Sequence, residues 1–102
     1  MIEHLETQEA YNTAIKSSDV VLIDFYAQWC GPCKRIAPQL EALAEELKET
    51  VAFYKVDVDV NEEVVLQEGV KAMPTFILYK SGERVLDIVG ADMEKVKSAV
   101  SE

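Results

Sequence analysis

The chain has 102 residues, 49% of them hydrophobic, which is enough for one compact domain with its own buried core. Ten basic against nineteen acidic residues leave a net charge of -9, which repels phosphate backbones and argues against nucleic-acid binding, with plain solubility as the simplest reading of the charge. No apolar run approaches the length of a membrane span, and Met1 to Glu6 carries neither the basic nor the apolar part of a secretory leader, so no membrane partner and a cytoplasmic location are expected.

Thr7 is placed to cap a first helix over residues 8–16, with Ala10, Tyr11, Ala14 and Ile15 as its inner stripe. Residues 20–27 are apolar on both period-two faces, as a central strand covered on both sides requires, and Asp24 is the one exception. Ile36, Leu40, Leu43 and Leu47 then mark one face of a helix running from Cys33 to Leu47, which Pro38 should kink. A second strand is expected over 51–58, its end alternating through Lys55, Val56, Asp57, Val58, Asp59 and Val60. Asn61 should cap a short helix ending at Gln67 or Glu68. Residues 75–79 and 84–89 read as an antiparallel hairpin turning through Lys80 to Glu83 and broken by Gly90. Asp92 caps a last helix with Met93, Val96 and Val100 inward and Lys95 and Lys97 outward. This order implies a mixed sheet with helices on both faces, its first half a parallel βαβ unit.

The only two cysteines, Cys30 and Cys33, stand between the first central strand and the helix after it, at the sheet edge where open α/β folds place their chemistry. A zinc site needs four ligands, and neither a third cysteine nor any histidine besides His4 is present, so no metal is expected. As a structural staple the pair would close so short a loop that it contributes only about 2 kcal/mol, against nearly 5 for a loop of about 100 residues. Dithiol–disulfide exchange fits better. At i and i+3 of a first helical turn the alpha carbons lie about 5 to 6 Å apart, within the window for a disulfide.

Cys30 is then the outer, attacking thiol, its thiolate stabilised by up to ~2 kcal/mol by the helix N-terminus and Lys34. That raises its ionised fraction at pH 7 from a few per cent to about half, but falling nucleophilicity leaves a net gain of only about threefold. Cys33, one turn further in, should be more buried and act second. Pro32 fits the opening of a helix, and Gly31 leaves room for a partner chain above Cys30. Asp24, six residues before Cys30, should be pushed by burial toward the working pH, where it can serve as a general base for Cys33. An acid reaching solvent at a sheet edge is the alternative. Lys55 on the next strand is a candidate neighbour for it, with a solvated lysine as the alternative.

The run Phe25-Tyr26-Ala27-Gln28-Trp29-Cys30-Gly31-Pro32-Cys33-Lys34, with Met73-Pro74-Thr75 and the Lys80 to Glu83 turn, closely resembles the thioredoxin family over essentially the whole chain. The resemblance implies an α/β thioredoxin fold, a central five-stranded mixed β-sheet flanked by four α-helices, as one domain over residues 1–102. It implies a monomeric protein-disulfide reductase without a cofactor of its own, recharged by an NADPH-dependent thioredoxin reductase and contributing to cell redox homeostasis. Peroxiredoxins, methionine sulfoxide reductase and ribonucleotide reductase are the targets it suggests. By the same resemblance Cys30 is the attacking and Cys33 the resolving thiol, Asp24 assists deprotonation of Cys33, and Lys55 lies beside that acid. Pro74 would be the family's cis-proline facing the disulfide. Trp29, Gly31, Pro32, Met73, Gly90 and Ala91 would form the apolar surface that receives the target, the backbone of Met73 pairing as an added strand. For Trp29 core packing is the alternative.

The chain departs from the family pattern at Glu68, where members commonly carry an aromatic residue or cysteine and whose helix packs near the active edge. Tyr26 stands where many have tryptophan, and the lack of further cysteines implies no oxidation switch beyond the active pair. A binding module that docks partners through the same surface without turnover is the competing class; retained function in a double Cys→Ser variant would favour it.

Overall fold

The computed structural model describes residues 1–101, and among them five strands and four helices follow the order β-α-β-α-β-α-β-β-α. The strands are β1 (Glu3–His4), β2 (Val20–Tyr26), β3 (Ala52–Asp57), β4 (Thr75–Lys80) and β5 (Glu83–Val89); the helices are α1 (Gln8–Ala14), α2 (Gly31–Glu46), α3 (Glu62–Glu68) and α4 (Met93–Val100). The sheet order is β1-β3-β2-β4-β5. β1, β2 and β3 run parallel, while β4 is antiparallel to both β2 and β5. β2 therefore has neighbours on both edges and helices on both faces, which accounts for its unbroken apolar run.

Alternation along β2 divides the interior. Val21, Ile23 and Phe25 pack with Tyr11 and Ala14 of α1 and Val64 of α3. Leu22 packs on the opposite face with Ile36, Leu40 and Leu43 of α2 and Met93, Val96 and Val100 of α4. Asp24 shares the parity of Leu22, so it points to the layer of α2, the helix that carries Cys33.

Local chemistry sets most element ends. Thr7 caps α1 by accepting from the Ala10 N–H at 3.0 Å, and Asp92 caps α4 by accepting from the Lys95 N–H at 3.2 Å. The β4–β5 turn is held by Ser81 (φ 53°) and Gly82 (φ 81°), two left-handed residues that match the twist of a tight hairpin.

Several expectations change. α1 stops at Ala14, two residues early, and α2 begins at Gly31, two residues before the expected start, and continues through Pro38. Asn61 occupies the N-cap of α3 but makes no capping bond; its amide donates instead to the Leu5 carbonyl at 3.1 Å, tying α3 to the end of β1. The alternation after Lys55 also fails, with Asp57 buried and Val60 exposed. β1 escapes pattern analysis, because two residues are too few to show a period.

Glu68 lies away from the active edge, contrary to expectation. It ends α3 beside Tyr79, at the far end of β4 from Thr75. Its carboxylate accepts from the Tyr79 hydroxyl at 2.8 Å and from Arg84 at 3.1 Å, and the Tyr79 and Tyr11 hydroxyls meet at 2.6 Å. Arg84 also donates to the Glu68 backbone carbonyl at 2.9 Å and to both oxygens of Asp87. Burial pushes both tyrosine hydroxyls up, so they stay neutral through the physiological range. Tyr79→Phe should strand the fully buried Tyr11 hydroxyl and cost about 1–3 kcal/mol. Urea unfolding reads this directly, and an unchanged midpoint would show that the network adds nothing to stability.

Candidate active site

β2 ends at Tyr26, the chain turns through Ala27 to Trp29, and Cys30 becomes the N-cap of α2. Cys30 and Cys33 are joined as a disulfide with their alpha carbons 5.3 Å apart. The Cys33 N–H points at Cys30 Sγ from 3.2 Å, so one of the free amides at the helix start is spent on sulfur. In the reduced protein that N–H and the helix dipole favour a thiolate at Cys30. Pro32, within the first turn, donates nothing where nothing is needed.

The two cysteines do not differ in burial as expected: Cys30 is 5% and Cys33 6% accessible. They differ in their neighbours. Cys30 Sγ lies 3.6 Å from the Met73 carbonyl oxygen, on the rim side, whereas Cys33 lines a cleft shared with Tyr26, Lys34 and Lys55. A Cβ added at Gly31 would meet no atom within 4 Å, so the space beside Gly31, between the two cysteines in sequence, is open.

Asp24 is 5% exposed, and its Oδ1 has no hydrogen-bond partner in the protein. Burial pushes its carboxyl from 3.8 up to about 7, and the Lys55 ammonium draws it partly back. The alternative of an acid reaching solvent is thereby excluded. Lys55 stands opposite Asp24 in the β2–β3 register, but its ammonium rests 4.7 Å from the centre of the Tyr26 ring.

The rim is built by two pinned loops. The Met73–Pro74 bond is cis, and the Met73 carbonyl faces Cys30. Thr75 Oγ1 donates to the Ala72 carbonyl at 2.6 Å, and the Gly90 N–H donates to the Pro74 carbonyl at 2.9 Å. Gly90 needs its freedom here, at φ 107°. Pro74 itself is fully buried, so it underlies the rim, while Met73 and Ala91 are half-buried at its edge. Trp29 is 67% exposed, which excludes core packing, and its indole donates to Asp59 at 3.0 Å.

Sequence reasoning missed Asp57, Asp59 and Gln28. Asp57 accepts from the Asp59 N–H at 2.9 Å and from the Gln28 amide at 3.1 Å, so it braces both the Trp29 loop and the segment opposite. The apparent alternation made both acids look like solvent-facing spacers. No local signal pairs them with residues thirty positions away.

A redox-active cysteine pair on a helix N-terminus, with a buried acid on the strand that leads to it and a rim loop beside it, defines a dithiol–disulfide oxidoreductase. The thioredoxin family model matches residues 2–102, and the chain is 43% identical over 102 residues to Thioredoxin-2 of Saccharomyces cerevisiae, covering 99% of this chain and 97% of that one. The chain therefore belongs to the thioredoxin family, whose members are protein-disulfide oxidoreductases. Among solved structures, Fasciola hepatica thioredoxin superposes with a TM-score of 0.93 at 42% identity, covering 98% of this chain and 97% of that one. A chain from a structure on thiol resolution in yeast mitochondrial 1-Cys peroxiredoxin via glutathione/thioredoxin systems gives a TM-score of 0.93 at 36% identity, covering 98% and 93%.

Proposed function

We propose that the chain, acting as one monomeric domain over residues 1–102, reduces target disulfides in the cytoplasm and is recharged by an NADPH-dependent thioredoxin reductase. The observation that carries this reading is the placement of Cys30 Sγ between the Cys33 N–H and the Met73 carbonyl, open to an incoming chain above Gly31. The Cys30 thiolate attacks one sulfur of the target disulfide, forming a mixed disulfide and expelling the other sulfur as thiolate. Asp24 takes the Cys33 proton, and Cys33 attacks Cys30 Sγ. The Cys30–Cys33 disulfide forms, the second target sulfur leaves, and the target has gained two electrons.

Trp29, Gly31, Pro32, Met73, Gly90 and Ala91 receive the target, with Pro74 beneath them. Peroxiredoxins are a reasonable target class, given the peroxiredoxin setting of one structural relative. Methionine sulfoxide reductase and ribonucleotide reductase follow from family membership, as does a part in redox homeostasis. The test couples the protein to a fungal thioredoxin reductase, NADPH and insulin. NADPH should be consumed only when the protein and insulin are both present. No consumption, with insulin still reduced when dithiothreitol replaces the reductase, would overturn the recharging step alone.

A further inference from the structure

We propose that Tyr26 is a positioning residue whose ring seats the Lys55 ammonium away from Asp24, and so sets how strongly that lysine acts on the buried carboxyl. Three strands place the participants in one row: His4 of β1 is opposite Lys55 of β3, and Lys55 is opposite Asp24 of β2. A lysine so placed is a natural ion-pair partner for the acid. Yet the ammonium rests over the Tyr26 ring, 4.7 Å from its centre, and Asp24 Oδ1 is left without a partner.

Tyr26 follows Asp24 by two residues and shares its side of the strand. Its ring is held from the far side by β1, the hydroxyl lying 3.2 Å from His4 Nδ1 and the imidazole standing edge-on with centroids 5.8 Å apart. The preference of Lys55 has a physical cause. Pairing with a carboxyl that is 5% exposed would strip the ammonium of water, whereas a half-buried ring supports it on one side and leaves the other wet.

The other groups around Asp24 do not duplicate this. From α2, Cys33 and Lys34 line the cleft that Tyr26 and Lys55 share; from β4 the register partner of Asp24 is Phe76, which has no charge. Asp57 of β3 faces the Tyr26 hydroxyl, where with Asp24 it adds to the upward push from burial.

The consequence for catalysis rests on Asp24 being the proton acceptor proposed above, but the test reads the carboxyl itself and is independent of that role. Carboxyl-carbon NMR follows the Asp24 titration in the disulfide form, where the cysteines do not titrate. Tyr26→Leu should lower the Asp24 midpoint by about one pH unit, as the freed lysine pairs with it. In a Lys55→Met background the same change should leave the midpoint in place, and Tyr26→Phe, which keeps the ring, should match the wild type. An unmoved midpoint in Tyr26→Leu, or an equal fall in the Lys55→Met background as water entry alone would produce, overturns the proposal. Should Tyr26→Leu fail to fold, Tyr26→Met is read the same way.

Discussion

Replacing Cys33 by serine is expected to abolish turnover of insulin while leaving the first attack intact, so that the protein accumulates as a one-to-one mixed disulfide with its target. Cys33 and Cys30 are held with alpha carbons 5.3 Å apart in one helical turn, so resolution is intramolecular. Well-oriented intramolecular groups reach effective concentrations of about 10⁵ M or more, so external thiol at millimolar levels should release the target about 10⁸-fold more slowly. A serine hydroxyl remains protonated and cannot expel sulfur. Cys30→Ser should behave differently, giving neither turnover nor adduct, because the remaining thiol faces the cleft of Tyr26, Lys34 and Lys55 rather than the Met73 carbonyl at the rim. Non-reducing electrophoresis separates the cases. Turnover that survives in Cys33→Ser would rule out the two-thiol cycle.

The second large effect concerns Asp24. Its folded carboxyl titrates near 7 against 3.8 for the ordinary acid, so the folded state holds a proton that the unfolded state has lost across that window. Stability from this group is complete below about pH 4 and falls as pH rises toward 7, for a total loss of about 4 kcal/mol. Asp24→Asn keeps the shape and cannot ionise. It should therefore be more stable than the wild type by about 4 kcal/mol at pH 8, with the difference vanishing near pH 4, as read by guanidinium unfolding of the disulfide form. The same substitution should slow resolution of the mixed disulfide roughly 100-fold at pH 7, the lower end of what a positioned base contributes. A gain in stability with no loss of rate would leave Asp24 a buried acid without a part in catalysis.

Much of this arrangement is legible from residues close together in the chain. The apolar run of β2, the spacing of Ile36, Leu40 and Leu43, and the Thr7 and Asp92 caps depend on local periodicity and local hydrogen bonds, and the structure keeps them. Cys30 and Cys33 announce themselves through chemistry within four residues, and Asp24 through being the one charge in a buried strand. The rest depends on contacts across the sheet. The burial of Asp57 follows from Gln28 and the Asp59 backbone, and the use of Asn61 follows from the Leu5 carbonyl; neither leaves a period in the sequence. The partners of Glu68 are hidden from the sequence for a similar reason. Tyr79 and Arg84, on a hairpin that follows in the chain, draw it to the far end of β4. The cis Met73–Pro74 bond was accessible only through family resemblance, since proline alone does not dictate the isomer.

The account turns on which sulfur meets the target. Peptide mapping by mass spectrometry of the adduct between reduced Cys33→Ser protein and an insulin chain should place the new disulfide on Cys30, at one target chain per protein. The absence of any adduct, or an adduct that persists when Cys30 is also serine, would contradict it.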